Sequence, residues 1–257
     1  MALSMVNGLL KQGFAGSALS VSDPSSTQRE RFATLGVETT PENLTAIANA
    51  DVVVLAVKPQ IAANVVRELP LQSDQVLLSI AAGIPLSALS AWCPEGQPIV
   101  RAMPNTPALL GAGMSGLFAN DKCDAAQRDA AEAVLQAAGQ TLWVDREALI
   151  DAVTAVSGSG PAYYFLLMEA MADAGVALGL SREDATRLTL QTAHGAALMA
   201  LEPDSDPAQL RRNVTSPGGT TQAAIEHFLD NGFADLVKDA LGAADQRARA
   251  LAEEFGD

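Results

Sequence analysis

Across residues 17–144 the chain alternates short aliphatic or β-branched runs with stretches of helical spacing, and this alternation narrows the fold more than any other feature. Each run suits a strand, and each stretch between runs is long enough for a helix that crosses back over a sheet. The pattern therefore predicts repeated βαβ units and a mainly parallel sheet. The runs are residues 17–22, 51–57, 75–80, 99–103, 114–119 and 141–144. The stretch 52–57 is apolar without alternation, which predicts cover on both faces and places that strand at the sheet centre. Helix signals stand between the runs: Thr40-Pro41 ahead of residues 42–50, Pro59 opening 59–69, Pro85 opening 85–92, and Asp124 opening 124–138 with Gly139 as the stop.

After about Asp145 the strand signals end and the remainder reads as helix, which divides the chain into residues 1–147 and 148–257. Pro161 opens a long apolar stretch to Leu178, and Ser181 with Asp184 forms a capping pattern for a helix through Leu201. Asp206-Pro207 opens another helix, and two more follow over 221–230 and 233–255. Residues 162–180 carry so little charge that no exposed face can be assigned. A helix that is apolar all round must be buried, and burial against a second copy of the chain predicts an obligate homodimer.

Charge excludes some partners. The net charge of −14 disfavours a polyanion, because phosphate backbones reward clustered Lys and Arg, so no nucleic-acid partner is expected. No apolar run reaches about 18 residues and no signal segment precedes the first helix, so no membrane partner is expected and a cytoplasmic location is. Cys93 and Cys123 read as reduced structural thiols, with no metal site.

A run such as 17–22 followed by Asp23 suggests a dinucleotide fold, in which an acidic residue after the second strand takes the ribose hydroxyls. That fingerprint calls for a preceding strand and a glycine-rich turn about 20 residues earlier. The chain opens instead with helical spacing at Leu3, Val6, Leu9 and Leu10 and a stop at Gly13, as expected of the helix after such a turn. The expectation is a sheet without its first strand and phosphate loop. Asp23 favours an unphosphorylated ribose, whereas Ser22, Ser25, Ser26 and Arg29 suit a 2′-phosphate.

Five loops could carry chemistry, and each also has a plain structural reading. Val57-Lys58-Pro59-Gln60 follows a buried strand, where Lys58 reaches either solvent or a phosphate. Ser79-Ile80-Ala81-Ala82-Gly83 is a tight turn whose small residues let a flat ring approach the backbone. Met103-Pro104-Asn105-Thr106-Pro107 holds an amide between two prolines, which preorganises it for a carboxamide or a substrate. Ser157-Gly158-Ser159-Gly160-Pro161 and Thr215-Ser216-Pro217-Gly218-Gly219-Thr220-Thr221 read as Gly/Ser turns entering helices, where free amides can hold a carboxylate or simply cap the helix.

Taken together, Ala56-Val57-Lys58-Pro59-Gln60, Met103 to Pro107, Ser157 to Tyr163 and Thr215 to Thr221 resemble, in order and spacing, the pyrroline-5-carboxylate reductases. The likeness covers essentially the whole chain. It implies an α/β, Rossmann-like, mainly parallel sheet domain followed by an all-helical dimerisation domain. It also implies NAD(P)H-dependent reduction of 1-pyrroline-5-carboxylate to L-proline, with NADPH favoured over NADH, by a homodimer or a larger assembly of dimers. It places Asn43, Ala56, Val57, Lys58 and Pro59 against the cofactor beside Ser22 and Asp23, and Ala81, Ala82, Gly83 and Asn105 near the nicotinamide. Ser216, Gly219, Thr220 and Thr221, with Asn105, would hold the substrate, and Thr221 would pair with the ring nitrogen. Hydride transfer to a cyclic imine asks more of positioning than of acid or base groups, so His194 and His227 are expected to pack or face solvent. Family members begin with a strand and a Gly-x-Gly-x-Met-Ala turn, of which Met1-Ala2 matches only the end. The alternatives are another Rossmann imine or β-hydroxyacid reductase, although Lys238 is the only lysine in the helical half, and a non-catalytic dinucleotide-binding protein.

Overall fold

The computed structural model describes residues 1–256. Two compact units emerge, one built from Met1–Ser159 with the chain from Ala243 onward, the other from Gly160–Gly242. The first unit contains all the strands: β1 (Ser20–Ser22), β2 (Glu38–Thr40), β3 (Val52–Leu55), β4 (Val76–Ser79), β5 (Ile99–Met103), β6 (Gly113–Ala119) and β7 (Gly139–Trp143). Among them run α1 (Ala2–Lys11), α2 (Ser26–Ala33), α3 (Asn43–Ile47), α4 (Pro59–Arg67), α5 (Leu86–Trp92), α6 (Ala125–Gln136) and α7 (Leu149–Val153).

The strands form two sheets. β1 and β2 make a parallel pair, and the other five lie in the order β3-β4-β5-β6-β7, parallel except where β5 meets β6. The expected mainly parallel sheet is present, but the expected centre is not. β3 is an edge of the five-stranded sheet, and Val52 and Val54 stay half-buried while Val53 and Leu55 are buried. The fully buried strand is β4, because it is paired on both sides and covered on both faces. Leu77, Leu78, Ile99 and Val100 are completely enclosed, each contributing about 1.5–3 kcal/mol of burial.

α1 links the two sheets. Met5 joins the cluster of Val76, Leu78 and Val100, while Val6, one residue on, joins Phe32 and Val37 beneath the β1–β2 pair. Gly8 lets α1 approach α6, since any Cβ there would collide with the Ala137 carbonyl. α6 carries the full capping box: Gln127 N–H donates to Asp124 Oδ1 at 2.8 Å and Asp124 N–H to Gln127 Oε1 at 3.1 Å.

Several boundaries differ from the sequence reading. The strand expected over 17–22 begins at Ser20, because Gly16–Ala18 forms a 3₁₀ turn. Glu38-Thr39-Thr40 is a strand too short to show periodicity, and α2 lacks an apolar stripe beyond the buried Phe32, which is why neither stood out. Gly139 does not stop α6, which ends at Gln136; it opens β7, where the main chain of Gly113 leaves no room for a Cβ.

The second unit is helical: α8 (Gly160–Ala177), α9 (Arg182–Leu201), α10 (Pro207–Asn213), α11 (Thr220–Asp230) and the first part of α12 (Phe233–Gly256). Ser181 Oγ accepts from Asp184 N–H at 3.0 Å, the expected cap of α9. Tyr164, Phe165, Leu166 and Met171 on α8 are exposed, as are Leu188 and Leu198 on α9 and Leu236 on α12. The chain thus presents a wide apolar surface that a soluble monomer does not keep.

Candidate functional site

In the first unit the singled-out residues gather at the carboxyl ends of β1, β3 and β4, where open α/β sheets take their ligands. Ser22, the last residue of β1, donates its hydroxyl to Asn43 Oδ1 at 2.7 Å, which joins it to the first residue of α3. Asp23 Oδ1 accepts from Ser25 N–H at 2.8 Å, and Arg29 Nη1 donates to the Asp23 and Pro24 carbonyls at 2.6 and 3.0 Å. Arg29 therefore braces the turn that carries Asp23, Ser25 and Ser26, with its guanidinium beside them.

Beyond β3, Ala56 and Lys58 are exposed and Val57 half-buried, with Lys58 at the cap of α4 and Pro59 in its first turn. Pro59 fixes the backbone angle there and contributes no amide that would need a partner. After β4, Ala81 is buried, Ala82 is exposed, and Gly83 adopts φ +77°. A Cβ at Gly83 would lie 3.0 Å from Leu251 Cβ and 3.2 Å from the Phe255 ring, so its bare α-carbon is packed by the end of α12 rather than left open for a ring. Ala82 is the small residue of this loop that faces outward.

Asn105 is more heavily used than its sequence setting suggested. Its Oδ1 accepts from Met114 N–H at 2.9 Å and its Nδ2 donates to the Ser157 carbonyl at 3.0 Å. The amide thereby fixes the start of β6 and holds two of the singled-out loops together. Ser157 and Gly158 are not in a loose turn. Residues Thr154–Gly158 continue α7 as a π-helical turn, with Ser159 N–H donating to the Thr154 carbonyl at 2.8 Å. Met103 packs close on this turn, since a Cβ on Gly158 would meet Met103 Cε at 2.6 Å.

A charged group next to this unit's loops escaped the sequence reading. Arg101 on β5 is only 5% exposed; it donates to Glu147 Oε1 at 2.8 Å and lies 3.7 Å from Asp151 Oδ1. Burial raises the Asp151 carboxyl above the usual range; Asp245 and Glu147 add to this, while Arg101 and Arg249 pull the other way. An arginine inside the apolar run Ile99-Val100-Arg101-Ala102-Met103 was the available signal, because a buried guanidinium requires a carboxylate.

In the second unit, residues 215–221 form a tight entry to α11. Gly219 N–H donates to the Ser216 carbonyl at 3.0 Å with Pro217 and Gly218 between, and Gly218 has φ +70°, the requirement of a type II turn. Gly219 caps α11, and a Cβ there would sit 2.7 Å from Ser216 Oγ, so a larger residue would have to turn that hydroxyl aside. Thr220 and Thr221 are the first two helical residues, so their amides lack helical acceptors. Thr221 is half-buried and Ser216 exposed. The sequence thus brings Ser216, Gly219, Thr220 and Thr221 together at a positive helix end with hydroxyls on either side of the cap. Among the described residues no cluster of His, Cys, Asp or Glu could hold a metal ion, and no helix is long and apolar enough to cross a membrane.

Comparison with known proteins finds matches to both parts of the chain. Residues 1–83 match a family described as NADP oxidoreductase coenzyme F420-dependent, and residues 147–251 one described as pyrroline-5-carboxylate reductase dimerisation. A pyrroline-5-carboxylate reductase of Pseudomonas aeruginosa is 55% identical over 100% of this chain and 95% of its own length. The structure of the Coxiella burnetii reductase superposes with TM-score 0.94 at 42% identity, covering 98% of this chain and 94% of that one. That of the Plasmodium falciparum pyrroline carboxylate reductase with NADP bound gives TM-score 0.85 at 30% identity, covering 97% and 94%. The chain belongs to the pyrroline-5-carboxylate reductase family.

Proposed function

We infer that this protein reduces 1-pyrroline-5-carboxylate to L-proline, the last step of proline biosynthesis, with NADPH as reductant. The observation that carries the reading is the entry to α11, where a type II turn and two unpaired helix-start amides offer donors for a small carboxylate. The ends of β1, β3 and β4 suit the cofactor, with exposed Ala56 and Ala82 letting a ligand approach the backbone and exposed Lys58 supplying charge.

In this reading Ser22, Asp23 and Asn43 hold the adenosine ribose, with Ser25, Ser26 and Arg29 beside its 2′-phosphate. Ala56, Val57, Lys58 and Pro59 line the middle of the dinucleotide, and the loop of Ala81, Ala82 and Gly83 backs the nicotinamide through the exposed Ala82, while Ala81 and Gly83 are packed behind it, with Asn105 bracing the neighbouring turn. When bound, the reduced nicotinamide supplies the hydride. The amides of Thr220 and Thr221 with the Ser216 hydroxyl and the Gly219 cap hold the substrate carboxylate at the α11 end. Thr221 Oγ1 hydrogen-bonds the ring nitrogen and keeps it oriented, the nitrogen taking its proton from solvent water before the hydride arrives. No strong acid or base is required, which suits a site made of amides and hydroxyls.

Residues 1–147 act as the cofactor domain and 148–257 as the dimerisation and substrate domain, the latter lending residues 148–159 and the end of α12 to the compact first unit. The exposed apolar faces of α8 and α9 pair with a second copy, giving a homodimer that can associate further. The chain works in the cytoplasm. A spectrophotometric assay of NADPH oxidation tests the function: oxidation that depends on 1-pyrroline-5-carboxylate, with proline as product, is expected. Nucleotide binding without turnover would favour a non-catalytic dinucleotide-binding protein, and turnover only with an open-chain oxo acid, the oxidised counterpart of a β-hydroxyacid, would favour a β-hydroxyacid reductase.

A further inference from the structure

Residues 80–85 connect β4 to α5, and they are held from outside the loop at three points. At the start, Ser79 is in register with Arg101 on the neighbouring strand, so the loop leaves the sheet beside a buried guanidinium. In the middle, Leu251 and Phe255 pack against Gly83. At the end, Glu147 Oε1 accepts from Leu86 N–H at 2.7 Å. Leu86 is the first residue of α5, whose cap, Pro85, offers no side-chain acceptor, so a carboxylate 61 positions away satisfies the first orphan amide of that helix. The same oxygen takes the Arg101 Nη1 hydrogen bond at 2.8 Å. Arg101 and Glu147 thus close a frame around both ends of the loop.

We propose that Glu147 is a positioning residue for the reaction: it fixes residues 80–85, and through them the nicotinamide, without touching cofactor or substrate. The proposal rests on the reading that Ala82 and its neighbours back the nicotinamide. Glu147 lies outside every loop singled out as a ligand contact, and its oxygen is already committed to Leu86 and Arg101, so its influence on turnover passes through the loop.

The test compares E147A, E147Q and E147D in the whole enzyme. Glutamine keeps an oxygen that can accept from Leu86. Aspartate keeps a charge for Arg101 but retracts the acceptor by one methylene, which protects folding while loosening the loop. The expected result is a fall of roughly ten- to a hundredfold in kcat/KM for NADPH in E147A and E147D, substantially restored in E147Q. The primary deuterium isotope effect with 4-deuterated NADPH should change in the same two variants, and the Kd for 2′-phospho-ADP-ribose, which lacks nicotinamide, should stay within about twofold of the parent. Should E147A fail to fold, E147D carries the test. Folded E147D with parental kcat/KM overturns the proposal, as does lowered thermal stability with unchanged kinetics. A82L separates the two layers: if A82L impairs NADPH use and E147D does not, positioning by Glu147 fails alone, whereas an inert A82L removes the loop from the nicotinamide and takes the proposal with it.

Discussion

Thr221 stands second in α11, where its amide has no helical acceptor and its hydroxyl belongs to the same helix end. Because that hydroxyl would pair with the reacting nitrogen, Thr221→Ala should lower kcat about a hundredfold while leaving the KM for NADPH within about twofold, and Thr221→Ser should recover most of the loss; steady-state kinetics decide it. Asn105 illustrates a different case. The sequence marked it as a preorganised amide suited to a carboxamide or a substrate, but could not show that both ends of the amide are spent on Met114 and Ser157. Replacing it by Ala leaves an amide and a carbonyl without their partner, and a loss of about 1–3 kcal/mol is expected in urea unfolding. Motif residues were legible because each sits at a turn whose Pro or Gly betrays it. Glu147 was not, because its partners lie 61 and 46 positions away and only the fold assembles them.

At the scale of elements, strands longer than three residues and capped helices were legible, whereas β2 and the π-helical turn were not. β2 has three residues and is held by pairing with β1, and the π turn has no mark in the local sequence, with Met103 packed on its Gly158 from a distant segment. The junction of α6 and β7 gives a measurable consequence. Glu132 accepts hydrogen bonds from the Thr141 hydroxyl at 2.5 Å and from Trp143 Nε1 at 2.8 Å, while Arg128 lies over the Trp143 ring at 4.4 Å. The Thr141 bond, then the Trp143 bond, hold the Glu132 carboxyl below the usual glutamate range. A carboxyl with a lowered folded value stabilises fully above its unfolded value, and that contribution is lost as pH falls through the folded one. Unfolding midpoints followed from pH 7 to 3 should therefore drop on the acid side, and Glu132→Gln should be about 1 kcal/mol less stable at pH 7 with a shallower acid limb.

For the whole molecule, the apolar faces of the helical unit outweigh any other surface feature. Phe165 and Leu166 are 62% and 66% exposed on one chain, and a second copy is the expected cover. Introducing Phe165→Asp with Leu166→Asp should leave a monomer in sedimentation velocity and abolish turnover, while NADPH binding to the first unit survives in part. The scarcity of charge on this helix, which carries only Glu169 and Asp173, was readable in the sequence. The topology of the sheets was read only in part, since β3 looked central by composition and proves to be an edge by pairing.

The return of α12 to the first unit has a temporal consequence. The chain from Ala243 onward completes a unit whose other residues all precede Gly160, with Phe255 packed against Gly83. During synthesis residues 1–159 emerge before the helix that packs on Gly83, so the loop 80–85 gains these neighbours only after the whole of the second unit has been made.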